Sequence, residues 1–254
     1  MFTPCGARGV AAISTASAQC YTPCMNDLAL RIPVLTLFVL LSGCGLGRTV
    51  LDIQHPASAK PASAAPVALK LMTLVDARHF EAHPSQANIP SLNDDDVTNA
   101  ALTARAVGRK RGSFGKARGD YMLPANDDVL SLTRQCVEAA VSRAGGVLVA
   151  QGDPRYERAI PLDVRLAGFW TWIRPGAWVV AAEFDAAVTL TAPLQGLAQG
   201  RTVLAHAEIR RPSITDGRVA RVVQEGVATL TTQLERELSA VLSASAISSP
   251  SHEN

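Results

Sequence analysis

The sequence predicts an α+β fold: a single domain in which two helices pack on one face of a mostly antiparallel sheet. Two patterns point there. Segments 160–173, 178–191 and 201–211 alternate apolar and polar residues with the period of a half-buried strand, and turn signals at Pro175-Gly176 and Gly196–Gly200 separate them. One segment before this trio and one after it repeat apolar residues at helical spacing. Composition sets the bounds. The chain has 254 residues, 48% of them hydrophobic, and a formal net charge of +2. That is enough apolar material for one ordinary core, and too little positive charge for a nucleic-acid-binding domain.

Taken in order, Val67–Val75 is apolar nearly throughout and stops at Asp76-Ala77-Arg78, as an interior strand covered on both faces would. Asn126-Asp127-Asp128 supplies a helix cap and first-turn acids. Behind it Val129, Leu132, Cys136, Val137, Ala140, Val141 and Ala144 make one stripe, and Gly145-Gly146 ends the helix. Val147–Val149 is a short buried strand. In 160–173 the even positions Leu162, Val164, Leu166, Trp170 and Trp172 share a face, and parity adds Trp178 and Val180 across the turn. Phe169 and Ile173 then emerge on the opposite face as a candidate contact patch, unless a bulge at Gly168 shifts the register. A last helix from Val219 to Leu242 carries Val222, Val223, Val227, Leu230, Leu234 and Leu238 on one stripe.

The N-terminal part reads as an address. Arg31, the apolar stretch from Ile32 to Leu41 and the small residues Ser42-Gly43 have the layout of a secretory signal. Leu41-Ser42-Gly43-Cys44 resembles the lipobox of bacterial lipoproteins. That resemblance implies cleavage before Cys44 and lipid on Cys44. Gly45, in place of the Asp associated with inner-membrane retention, implies the outer membrane with a periplasm-facing domain. Met25 is the expected start, so Cys5, Cys20 and Cys24 would be absent from the mature chain, Cys136 would be its one free thiol, and no internal disulfide can form. The expected organisation is a signal segment at 1–43, a lipidated Pro/Ala-rich tether at 44–66, the folded domain at 67–242 and a disordered tail at 243–254.

Asp76 and Arg78, the helix ending in Arg143-Ala144-Gly145-Gly146, the long strand from Trp178 to Thr191 and the C-terminal helix together resemble the YajG-like group of outer-membrane lipoproteins. The resemblance covers Ala68 to Leu242. It implies an envelope lipoprotein and transfers no catalytic residues. The basic segment 108–119 and the tryptophan-rich hairpin depart from that group's pattern.

Candidate chemistry is sparse. Gly108–Gly119 has glycines and cations but not the spacing of a phosphate loop, and Ala117 stands where the magnesium ligand belongs. It reads as a solvated hairpin whose Arg109, Lys110, Arg111, Lys116 and Arg118 could contact an anionic lipid or glycan by charge. His79, Glu81 and His83 lack the spacing of a zinc protease. Asp94-Asp95-Asp96 lacks that of a calcium loop. Cys136 lies on an apolar helical face, where a small buried residue is expected and a nucleophile is not. Asp163, Glu183, Asp185 and Glu208 are spaced like solvated strand faces.

The expectation is therefore an outer-membrane lipoprotein, not an enzyme, that needs no metal or cofactor. It would be held at the membrane through Cys44 and bind or scaffold an envelope protein or glycolipid. An accessory lipoprotein of a transport or secretion system handling hydrophobic cargo would need an apolar cleft between sheet and helices. A cell-wall glycan hydrolase would need paired carboxylates in a cleft.

Overall fold

The computed structural model describes residues 47–57, 66–112 and 116–247, all within the unit Gly45–Asn254. The expected signal segment, Met25 and Cys44 lie outside the described residues, as do 58–65, 113–115 and 248–254.

The described residues form one α+β fold built on an eight-stranded sheet. The strands are β1 (Thr49–Val50), β2 (Val67–Asp76), β3 (Ala106–Arg111), β4 (Ala117–Met122), β5 (Gly146–Leu148), β6 (Ile160–Arg174), β7 (Val180–Thr191) and β8 (Arg201–Arg211). The helices are α1 (Ala100–Thr103), α2 (Val129–Arg143) and α3 (Asp216–Ile247). The sheet is mixed, which corrects the mostly antiparallel expectation. Four pairings are parallel: β1 with β4, β2 with β5, β2 with β6 and β3 with β6. Three are antiparallel: β3 with β4, β6 with β7 and β7 with β8.

The fifteen-residue β6 explains the mixture. Along one edge its first half pairs with β2 and its second half meets β3 at Gly108, opposite Thr171. Along its other edge β7 follows it throughout, and β8 follows β7. The meander is thus as expected, and the basic segment is drawn into the sheet as the β3–β4 hairpin. Helices α2 and α3 pack against each other and on the same main core. Asp128 caps α2 by accepting from Ser131 N at 2.6 Å, and Gly145, at φ 84°, ends it. Gly226 lets α3 close on the sheet, because a Cβ there would stand 2.0 Å from Phe184 Cδ1.

Several boundaries move. Residues 47–57 are not a tether: β1 pairs with β4, and Leu51 and Ile53 are buried in the main core. Gln54 exchanges two hydrogen bonds with Gln224 on α3, at 2.7 and 3.0 Å. Helix α3 runs to Ile247, past the expected end at Leu242. Strand β2 is interior yet covered on one face only, leaving Met72 and Val75 about half exposed.

The largest change is in β6. Register slips between Leu166 and Gly168, so the face reverses beyond Ala167. Phe169 is fully buried against Phe184 in the main core, with ring centroids 4.8 Å apart, and Ile173 is half-buried against the same core. The contact patch expected at Phe169 and Ile173 does not form on the surface, because Phe169 is wholly buried and Ile173 is only partly exposed. Trp170 and Trp172 occupy the other face, in a second core with Leu92, Ala106 and Met122. The segment between β2 and β3 covers them: Phe80 meets Trp170 edge-on at 5.9 Å, and Trp170 Nε1 donates to Ala87 O at 3.2 Å. Trp178, expected in the core, is 91% exposed.

Candidate functional site

Strand directions bring three features to one end of the domain. β3 runs parallel to β6 with Gly108 level with Thr171, so the tips of the β3–β4 and β6–β7 hairpins leave the sheet on the same side. β1 runs parallel to β4 with Thr49 opposite Tyr121, so the chain preceding Thr49 arrives from that side as well. Gly119, at φ 146°, fixes this entry: a Cβ on it would lie 2.2 Å from Gly47 O. At the base, the N-terminus of α3 is tied in through Asp216, which accepts from Lys110 Nζ at 2.8 Å, Tyr121 Oη at 3.1 Å and Thr49 Oγ1 at 3.3 Å. Burial opposes ionisation of Asp216, but these hydrogen bonds and the lysine charge outweigh it and hold its carboxyl below the usual range.

The five cations expected to contact an anion divide into two groups. Arg109 and Lys110 are structural. Arg109 is 6% exposed, donates to Asn93 Oδ1 at 2.5 Å and stands 3.9 Å from Asp120. Burial raises the Asp120 carboxyl despite the pull of Arg109 and Arg48. Lys110 serves Asp216 and Thr49 and lies over the Tyr121 ring. Arg111 is intermediate, donating to Ser91 Oγ at 3.3 Å while lining a cavity of about 410 Å³ with Asn93, Asp94 and Lys116. Lys116 and Arg118 are exposed at the tip, and among the described residues neither has a carboxylate within ion-pair distance.

The second tip carries Trp178 and the 44% exposed Val179. Strand pairing sets Arg211 opposite Val180 beside it. The Arg211 guanidinium donates to Arg210 O, and no described carboxylate is within ion-pair distance of it. Arg174 is neutralised by Glu183 and by Glu208, the latter at 3.3 Å, and Arg210 bonds Glu208 at 2.6 Å.

A different surface lies along β8, whose outer edge no described strand pairs. On the face away from the helices, Leu204 is 68% exposed over a depression of about 520 Å³ floored by Gly168 and Ala187, with His206 Nδ1 2.7 Å from Asp185 Oδ1 at its rim.

The remaining candidates are accounted for locally. Arg78 is buried, grips Asp76 and donates to Ala106 O and Thr103 O, each at 2.7 Å, so this pair joins the end of β2 to β3. His83 pairs with exposed Asp94 at 3.0 Å, and Asp96 with Arg48 at 2.7 Å. Among the described residues no three metal-ligating side chains cluster. Burial pushes the Cys136 thiol up to about 11, against the hydrogen bond with Thr231. Asp163 accepts from Thr73 Oγ1 at 2.5 Å. Sequence reasoning missed Trp178 and the β8 edge. Trp178 had a local signal, since it stands two residues after Pro175-Gly176 and so belongs to the turn.

No family model matches the chain, and no curated protein does. Similar solved structures include an uncharacterized protein at 11% identity, covering 76% of this chain and 97% of its own, with a TM-score of 0.38. Another is a Xanthomonas campestris protein assigned to the DUF330 family, at 14% identity, covering 80% of this chain and 99% of its own, with a TM-score of 0.40. At these scores the likeness carries no argument about function.

Proposed function

We propose that the chain is an outer-membrane lipoprotein of the YajG-like kind, anchored through Cys44, whose domain binds or scaffolds an envelope partner without catalysis. The observation that carries the binding role is the open side of β8. Eleven residues of strand edge lack a described pairing partner, and Leu204 stands exposed above an apolar depression beside it. An open edge of this length is a template for a further strand, and an exposed leucine beside it gives that strand a side-chain anchor.

The carboxylates favour this reading over glycan hydrolysis. Glu183 and Glu208 are cross-strand partners, but Arg174 bridges them, and the hydrogen bond from Arg210 holds Glu208 below its ordinary range. A general acid needs the opposite shift. The place where a cargo cleft was expected, between sheet and helices, is filled by Phe169, Phe184, Leu230 and Leu234. Photo-crosslinking in intact cells tests the proposal. A crosslinker replacing Leu204 should give a discrete adduct that one replacing Arg236, exposed on α3, does not. Identical patterns from both positions would refute it.

A further inference from the structure

We propose that the end bearing the two hairpin tips rests directly on a bilayer containing anionic phospholipid. In that arrangement Trp178 sits at the headgroup level and Lys116, Arg118 and Arg211 face lipid phosphates. The inference takes its orientation from the lipobox reading of Cys44. The short length of chain between Cys44 and the first described residue makes that orientation informative. The described chain begins at Gly47, only three residues after Cys44, and three residues of chain reach about 11 Å at most. Gly47 lies close to Gly119 on the β3–β4 hairpin and Thr49 pairs with Tyr121 on the same hairpin, so a lipid at Cys44 holds this end, and not another, at the surface.

The chemistry of the end suits that position. Trp178, 91% exposed at the tip of a hairpin, would in water leave a large apolar ring unburied. A tryptophan has an apolar body and one N–H donor, and the bilayer interface satisfies both. The two tips contribute three cations without carboxylate partners among the described residues; of the neighbouring acids Asp96 is engaged by Arg48 and Glu208 by Arg210, while Asp94, paired with His83, and exposed Asp95 are set against those three cations. Each cation close to an anionic leaflet strengthens binding about fivefold, so three together give on the order of 100-fold.

The test uses the full lipidated chain, its Cys44 modification verified by mass spectrometry, in vesicles of phosphatidylcholine with or without phosphatidylglycerol. The Trp178 emission is isolated as the difference from Trp178→Phe, which leaves the two buried tryptophans in place. The expected result is a blue-shifted Trp178 component, quenched by lipid brominated near the headgroup, strongest with phosphatidylglycerol. Combined Lys116→Gln, Arg118→Gln and Arg211→Gln, or high salt, should remove the dependence on phosphatidylglycerol. A Trp178 component that stays at its water-exposed wavelength and unquenched in a lipidated chain overturns the proposal and leaves the lipobox reading intact. A shift that occurs in native membranes but not in pure lipid also overturns it, assigning the tip to a protein partner. Mass spectrometry that finds Cys44 unmodified in membrane-extracted protein overturns the lipobox reading, and quenching by added anionic vesicles in that chain still supports the bilayer contact.

Discussion

The two hairpins that leave the same end of the sheet are built in opposite ways. The β3–β4 hairpin buries charge at its base, where Arg109 stands between Asn93 and Asp120, and exposes charge at its tip through Lys116 and Arg118. The β6–β7 hairpin buries aromatic rings at its base, Phe169 on one face and Trp170 on the other, and exposes Trp178 at its tip. Residues of one chemical class therefore have different fates according to their distance from the turn. The energetic content of each hairpin lies in its base, and its capacity for outside contact lies in its tip.

This contrast breaks most readily at the base. Phe169→Ala and Trp170→Ala should each destabilise the domain by about 3–5 kcal/mol in denaturant titrations, the range for deleting a buried aromatic. A tolerated Phe169→Ala would restore the register in which Phe169 faces solvent. Arg109→Met should cost about 1–3 kcal/mol at neutral pH, because it removes the buried one of the two cations beside Asp120 and leaves only the more exposed Arg48, 3.8 Å away. The sign with pH follows from the raised Asp120 carboxyl. A folded-state pKa above the unfolded value destabilises the native state once the group ionises, so the penalty should shrink as pH falls through the raised folded-state values towards the unfolded one of about 4. Equal penalties at pH 3 and 7 would show that Asp120 is not the group left exposed to the loss.

Gly226→Ala sharpens the account of how α3 docks, since overpacking against Phe184 should cost about 1–3 kcal/mol. Asp216→Asn should have a smaller effect, about 1 kcal/mol or less because its side chain is half exposed. Its depressed carboxyl contributes stability above the unfolded pKa and loses it as pH falls, so the variant should flatten that part of the acid limb. At the tips, Trp178→Ala, Lys116→Gln and Arg118→Gln should each change stability by no more than about 0.5 kcal/mol.

Local periodicity made much of the fold legible. β7, β8, α2 and α3 carry one face of apolar residues over many positions, and the structure places Val188, Val203, Val137 and Leu230 inside as that period requires. The mixed sheet was not legible, because which strand pairs with which depends on contacts distant in sequence. β3 reaches β6 through Gly108 alone, a close approach with no apolar signature. In β6 the inserted Ala167 reversed the parity of every later side chain, and only the neighbouring Gly168 hinted at it. The entry segment was misread because Pro56 and Pro61 dominate its composition, although Leu51 and Ile53 already stood two residues apart as a strand would place them. Of the five basic residues, sequence could not separate Arg109 from Lys116, since the acids that bury one and not the other lie elsewhere in the chain.

The orientation that puts both tips and the Arg211 end of β8 on the membrane, and leaves Leu204 clear of it, can be read as a difference in depth. Ala187, which pairs with Leu204, lies seven residues along β7 from Val180, about 24 Å from the tip of the hairpin. Spin labels introduced at Trp178→Cys and, separately, at Leu204→Cys in the lipidated chain on anionic vesicles can be compared by power saturation with oxygen and a water-soluble relaxant. The account predicts a label at 178 located among the headgroups and a label at 204 in open water. Equal water accessibility at the two positions, or a deeper label at 204, would contradict it.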